Sequence, residues 1–163
     1  MITFAPLSSI DLEELRALNT DPQVIRHMPL ADPEPMNPDE LRDWVTWKEA
    51  ITQQHGFGPQ AILLDGDFAG WGGIEPDDAG ASISLVLSPA FWGRGRQILE
   101  ILLEEAFGRL GLPYELVEFP PTRTRVRGLL RLGFREVGDR TIEGERFVVY
   151  RLDAPRMSPI GQP

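Results

Sequence analysis

The sequence predicts an α/β (α+β) domain organised around a strand, a glycine-bearing turn and a helix. Three observations predict it. Residues 84–107, SLVLSPAFWGRGRQILEILLEEAF, run from alternating apolar positions through Ser88-Pro89 and Trp92-Gly93-Arg94-Gly95-Arg96 into apolar residues at helical spacing. Asp65-Gly66 and Glu143-Gly144 each separate two strand-like runs, and a hairpin turn suits Asp-Gly in particular because both of its residues tolerate positive φ. Helical and strand periods alternate along the chain without an internal repeat or a low-complexity block.

Taken in order, residues 1–7 read as a short strand with Ile2 and Phe4 on one side. Ser9 is expected to open a helix through Leu18, with Leu12, Leu15 and Leu18 on one face and acidic residues in the first turn. Asp21-Pro22 starts a second short helix that reaches Met28. The stretch MPLADPEPMNP then holds four prolines in eleven residues and forms a loop of the kind that walls a substrate site. Asn37-Pro38-Asp39 begins a helix whose half-apolar face carries Leu41, Trp44, Val45, Lys48 and Ile51, closed at His55-Gly56. Residues 60–64 and 68–74 are the strands of the first hairpin. Gly70, Gly72 and Gly73 thin the second of them, either for a bulge or ligand or because the sheet twists sharply there.

The strand of residues 81–87 follows, then a helix to Leu110 stopped by Gly111, then a strand over residues 114–119 ended by Pro120-Pro121. Thr122 is expected to cap a helix, RTRVRGLLRL, with Val126, Leu129 and Leu130 inward. Residues 134–142 and 146–152 form the last hairpin. One domain over 1–152 is expected, with 153–163 a loose tail.

Composition excludes several classes. The chain has 163 residues, no cysteine and two histidines, so neither disulfides nor thiolate chemistry nor a histidine metal cage is expected. No apolar run approaches the roughly 20 residues of a membrane span, and residues 1–16 lack signal-peptide order, so a soluble cytoplasmic protein is expected. The net charge of -9 argues against a general nucleic-acid binder. Residues 1–90 hold 15 acidic against 4 basic side chains (-11), whereas residues 91–163 hold 10 against 12 (+2). The glycine-bearing turn therefore opens the basic half, and the first turn of the following helix offers unpaired backbone N–H groups to an anion such as a phosphate. The acidic half suits a cationic partner such as an amine, or is a solubilising surface.

The element order β, α, α, α, β, β, β, α, β, α, β, β resembles the GNAT acyltransferase superfamily over residues 2–152. Three stretches carry the likeness. LRALNTDPQVIRHMP contains the D-P-x-V common there, LSPAFWGRGRQILE is similar to the family's W-G-K/R-G turn, and LLRLGFREVG is similar to its L-x-K-L-G-F. The nearest likeness is to the RimJ/RimL-like branch, which acetylates N-terminal and small amines.

The resemblance implies a mixed, mostly antiparallel central sheet flanked by helices, and acetyl-CoA as co-substrate. It implies that the CoA pyrophosphate lies on Trp92, Gly93, Arg94, Gly95, Arg96 and Gln97, and that the pantetheine arm pairs with Leu85, Val86 and Leu87 as an added strand. It also places Thr122 and Arg125 at the cofactor. A backbone donor aimed at the thioester oxygen is worth about 2.7–4 kcal/mol in other enzymes. Four positions depart from the pattern. Gln97 stands where the turn has a small residue, and its side chain either crowds the pyrophosphate or points away. Thr122 and Arg125 replace Asn and Ser or Ala, and Leu129 stands where several branches carry the tyrosine that returns a proton to the thiolate.

The implied reaction is direct attack of a primary amine, on a small molecule or a peptide, upon the thioester. An α-amino group (pKa about 7.7–8.0) has a free-base fraction at neutral pH roughly two to three powers of ten above that of a lysine (about 10.4), so a site without a strong base favours the former. Glu75 is the candidate base, with Ser84, or Ser82, positioning a water. His27, Met28 and Trp71 are candidate substrate neighbours, although His27 also suits a helix C-terminus and His55 reads as part of a helix stop. Arg94 and Arg96 complement phosphate charge, while Arg123, Arg125 and Arg127 either do the same or form a solvated basic face. A catalytically silent CoA-binding or regulatory protein on the same fold is the alternative reading, and the oligomeric state, a homodimer included, is open.

Overall fold

The computed structural model describes residues 1–32 and 34–156. Seven strands form one sheet: β1 (Ile2–Ala5), β2 (Pro59–Leu64), β3 (Asp67–Glu75), β4 (Ser82–Leu87), β5 (Tyr114–Phe119), β6 (Arg135–Ile142) and β7 (Glu145–Asp153). Their order is β1-β2-β3-β4-β5-β7-β6. Every neighbouring pair is antiparallel except β4 and β5, which are parallel. The mixed, mostly antiparallel sheet expected from the sequence is therefore the one found.

Helices cover both faces. On one side α1 (Leu12–Thr20), α2 (Pro22–Ile25) and α3 (Pro38–His55) bury Leu15, Leu18, Val24, Leu41 and Val45 against Ala61 and Trp71. On the other side α4 (Gly95–Glu104) and α5 (Arg127–Arg131) bury Ile98, Leu102, Leu103 and Leu129 against residues of β2, β3, β4, β5 and β7. Strand periodicity sorts the two sets, since alternate side chains of β4 go to opposite clusters: Ile83 and Leu87 to the α4 side, Val86 to the α3 side.

Local chemistry fixes most boundaries. Asp65 and Gly66 take φ of 53° and 91°, and Glu143 and Gly144 take 49° and 81°, which closes both expected hairpins. Asn37 caps α3 through a reciprocal pair with Glu40, and Gly56 ends that helix in the left-handed region at φ 77°. A Cβ on Gly70 would lie 2.0 Å from Val86 O and one on Gly72 2.3 Å from Ser84 O. Those two glycines serve the close approach of β3 to β4, and the register of β2 against β3 shifts between Ile62 and Leu63, opposite Gly70 and Phe68, so the bulge is the reading the strand bears out.

Several boundaries differ from expectation. The α2 helix ends at Ile25 instead of reaching Met28, whose N–H donates to Ile25 O at 2.9 Å in the turn beyond it. Ser9 closes a short 3₁₀ turn over Leu7–Ser9, and α1 is capped instead by Asp11, whose Oδ1 accepts from Glu13 N at 2.8 Å. Arg123 N donates to Pro120 O at 2.9 Å, so Thr122 lies in a turn and caps nothing; α5 starts only at Arg127. The α4 helix ends in a π-helical turn, Glu105–Arg109, before Gly111 stops it at φ 61°. At the chain's far end, β7 extends to Asp153 and Ala154 N donates to Pro113 O at 2.9 Å, which anchors the start of the expected tail. Residues 157–163 of that tail lie outside the described residues.

Glu115 of β5 is fully buried, with neither carboxylate oxygen hydrogen-bonded. Burial pushes its carboxyl from 4.5 up to about 8, because a lone charge in an apolar interior costs more than a proton. The unfolded chain releases this proton near the ordinary value and the folded chain only near the raised one. Its contribution to stability is therefore complete below pH 4.5 and is lost as the pH rises to about 8. Glu115→Gln, which keeps the shape and abolishes the titration, is expected to flatten that decline in urea denaturation run across the same window. An unchanged slope would mean the carboxyl is solvated.

Candidate active site

The parallel pair β4–β5 is joined at one ladder position, Ser82 opposite Leu116, where Leu116 N donates to Ala81 O at 3.1 Å. Beyond it the strands part. Ser88 N donates to Ala69 O at 2.9 Å, so the two-residue period turns the backbone groups of Ser84 and Val86 toward β3. Those of Leu85 and Leu87 face the opening. Trp92 fills part of this edge, since its indole N–H donates to Leu87 O at 2.9 Å. Among the described residues, the groups left over on this edge are the N–H and C=O of Leu85 and the N–H of Leu87. Val86 thus offers its side chain to the α3-side cluster rather than its backbone to the opening, which narrows the expected triple of Leu85, Val86 and Leu87.

The chain leaves β4 through a 3₁₀ turn, Pro89–Arg94, that runs directly into α4. Gly93 and Gly95 lie at this junction without positive φ. A Cβ on Gly93 would meet nothing within 4 Å, and one on Gly95 would touch only Leu85 Cδ2 and Leu87 Cδ1 at 3.7 Å. The fold itself has no need of either glycine, whereas a ligand lying close on the backbone does. Gln97 is exposed and its Oε1 accepts from Arg94 Nε at 2.8 Å, so its amide lies along the helix surface. Arg96 pairs with Glu100 at 3.0 Å one turn on. Thr122 and Arg125 are exposed in the loop ahead of α5, and beside them the Arg123 guanidinium lies 4.2 Å from the Phe119 ring centroid.

On the α3 side of the opening stand Glu75, Ser84 and Trp71, which share one face of β3 and β4 through the pairs Glu75–Ser82, Gly73–Ser84 and Trp71–Val86. The Ser84 hydroxyl is buried without a hydrogen-bond partner. Glu75 Oε1 accepts from Lys48 Nζ at 2.9 Å, with only 11% and 18% of the Lys48 and Glu75 side chains exposed. The sequence contained both residues but no sign of their contact, which spans 27 residues. Trp71 is buried, donates from Nε1 to Asn19 Oδ1 at 3.0 Å and meets Trp44 edge-on at 5.1 Å. Met28 packs against the same cluster. His27 follows α2 with Nδ1 buried and unpartnered; partial burial, then the Arg26 and Arg123 cations, hold its pKa below the ordinary value, so it is neutral at pH 7.

Among the described residues no group of three His, Asp or Glu side chains is placed to hold a metal ion, and no helix is long and apolar enough to cross a membrane.

Residues 2–135 match the family described as an acetyltransferase (GNAT) domain. Among curated proteins none matches the sequence. Solved structures share the fold. An acetyltransferase from Agrobacterium tumefaciens superposes with a TM-score of 0.74 at 21% identity, covering 93% of this chain and 90% of that one. The aminoglycoside acetyltransferase AAC(6')-Ib in complex with coenzyme A gives 0.72 at 16%, covering 94% and 95%. A spermidine N-acetyltransferase SpeG chimera from Vibrio cholerae and hSSAT gives 0.70 at 14%, covering 93% and 95%. By class the protein is an acyltransferase. It belongs to the GNAT acetyltransferase family.

Gly95→Ala separates the needs of the fold from those of a ligand. With only 3.7 Å contacts awaiting the new methyl, the variant is expected to gain about 0.5–1 kcal/mol in denaturant melts. It is also expected to bind acetyl-CoA more weakly by calorimetry. A variant both more stable and equally tight would show that the glycine is not kept for a ligand.

Proposed function

We propose that the protein is an acetyl-CoA-dependent N-acetyltransferase that moves the acetyl group to a primary amine on a small molecule or a protein N-terminus. The observation that carries this reading is the unpaired edge of β4 at Leu85 and Leu87, lying beside the Gly93–Gly95 entry to α4. Leu85 supplies a donor and an acceptor to an extended amide arm, in the manner of an added strand, and Leu87 supplies a further donor. The backbone N–H groups at the start of α4 supply partners for a diphosphate. The unsatisfied Ser84 hydroxyl calls for a partner such as a bound water or the substrate.

In the transfer, the amine nitrogen bonds to the acetyl carbonyl carbon as the carbon–sulfur bond breaks. The amine proton goes to Glu75, directly or through a water held by Ser84. Lys48 keeps the Glu75 carboxylate in place across the face of the sheet. Leu129 is buried in the α4-side core, so the position where several family branches carry tyrosine contributes packing here, and the departing thiolate takes its proton from solvent. Without a strongly basic group at the site, amines with the larger neutral fraction at pH 7 are preferred.

Acetyl-CoA is expected to raise the melting temperature, and thiol is expected to appear when a suitable amine is added. Peptides with a free α-amino group are expected to outpace N-blocked peptides carrying one lysine by roughly two powers of ten at neutral pH. Glu75→Gln is expected to lower kcat by about 10²-fold or more with acetyl-CoA affinity retained. Tight acetyl-CoA binding with no thiol release across small amines and peptides would make this a silent CoA-binding protein instead.

A further inference from the structure

The sheet face that carries Ser84 continues past the opening. Ser82 is paired with Leu116, so Leu116 and Glu118 of β5 share the face of Ser82 and Ser84. Glu118 is paired with Val149 of β7, and Val149 with Gly138 of β6. A cavity of about 260 Å³ lies on this stretch of the sheet, lined among others by Leu116, Glu118, Val137, Asp139, Arg140 and Val149. Its floor is apolar. Val137 is the extra residue of a bulge, where the register shifts between Glu136 and Gly138, and it remains 47% exposed. Bulges of this kind re-aim a side chain, often beside a site.

The charges at the rim are largely spoken for. Arg140 Nη1 donates to Asp77 at 2.8 Å and to Glu118 at 2.7 Å, while Asp139 is held by Arg146 at 2.7 Å. Two carboxylates on one guanidinium leave one surplus negative charge, and the Asp139–Arg146 pair leaves none. An apolar floor with one surplus charge complements a body of hydrocarbon bearing one ammonium. A polycation would bring several charges into a pocket that can balance one, and each uncompensated charge removed from water is costly.

We infer that the acceptor is a monoamine with an apolar body, its hydrocarbon on Leu116, Val137 and Val149 and its nitrogen at the Glu118 end, toward the opening that Ser84 borders. This inference rests on the transferase reading above and narrows its acceptor. It separates this chain from structural neighbours whose names refer to aminoglycosides and spermidine.

The test compares hexylamine and phenethylamine with spermidine and kanamycin in thiol release at saturating acetyl-CoA, each rate referred to the neutral fraction of the amine so that basicity does not enter, and measures hexylamine binding directly by calorimetry. Wild type and Val137→Asn are run in parallel; the substituted side chain is half exposed on a bulge, so the fold is expected to survive, and an unchanged acetyl-CoA affinity is the control. The monoamines are expected to be the better substrates by about tenfold or more in kcat/KM, and Val137→Asn to raise the KM for hexylamine about tenfold, with Val137→Ile restoring it. Thiol release that favours spermidine or kanamycin overturns the inference and leaves the transferase reading standing. Hexylamine binding that Val137→Asn weakens, with no thiol released by any amine, supports the pocket and removes the transferase reading. No hexylamine binding to the wild type overturns the inference.

Discussion

One backbone hydrogen bond, from Leu116 N–H to Ala81 O, marks the place where the two halves of the sheet meet. On one side of it lie four strands joined antiparallel, on the other three, and the parallel ladder between them has a single register position. Past that point the facing edges of β4 and β5 have no ladder to enter. Backbone groups left this way in a protein interior ordinarily find a partner in water or a ligand. The halves are held at their angle by side chains instead. One continuous cluster runs from Ile62 of β2 through Ile98 and Leu102 of α4 to Tyr150 of β7, so α4 braces the wedge from behind. The opening is thus a product of core packing, and the site exists because the strands stop pairing where α4 takes over.

The distribution of charge follows the same division. The surplus of carboxylates in the first half is partly drawn into fixed contacts rather than left as a diffuse field: Glu75 on Lys48, and Asp77 on Arg140 from the far half of the chain. Arg140 is also bound by Glu118 and so ties the turn after β3 to both β5 and β6. A cation that holds two carboxylates in a half-buried site is a geometric constraint before it is a source of affinity.

What the sequence revealed and what it hid divide along the range of the interaction. Turns and caps are local, so Asp65-Gly66, Glu143-Gly144, Asn37 and Gly56 announced themselves by residue type. The glycine turn and its helix were legible for the same reason. Ser9 was misleading because Asp11, two residues later, is the better cap and the 3₁₀ turn uses the serine otherwise. Thr122 was misleading because Pro120 and Pro121 favour a turn that the threonine falls inside. The parting of β4 and β5 was invisible, since nothing in either strand's alternation reports where its neighbour stops. So was the contact of Lys48 with Glu75, and so was the burial of Glu115, one of two carboxylates on its strand, the other being Glu118. The outward lie of Gln97 depended on Arg94 three residues earlier, a pairing that spacing permits without requiring.

The order of strands in the second half has a consequence for how the chain is assembled. β7 lies between β5 and β6, yet both of those precede it in the chain. A growing polypeptide therefore presents β5 with its outer edge bare, and β6 with no partner, until residues 145–153 arrive to slot between them. The first four strands with α1 to α3 can settle as a unit beforehand, in keeping with the tendency of chains to fold from the N-terminal side during synthesis. The wall of the cleft that bears Glu118 is then the last part to acquire its shape, and until it does the edge of β4 is bare along its whole length and not only past Ser82.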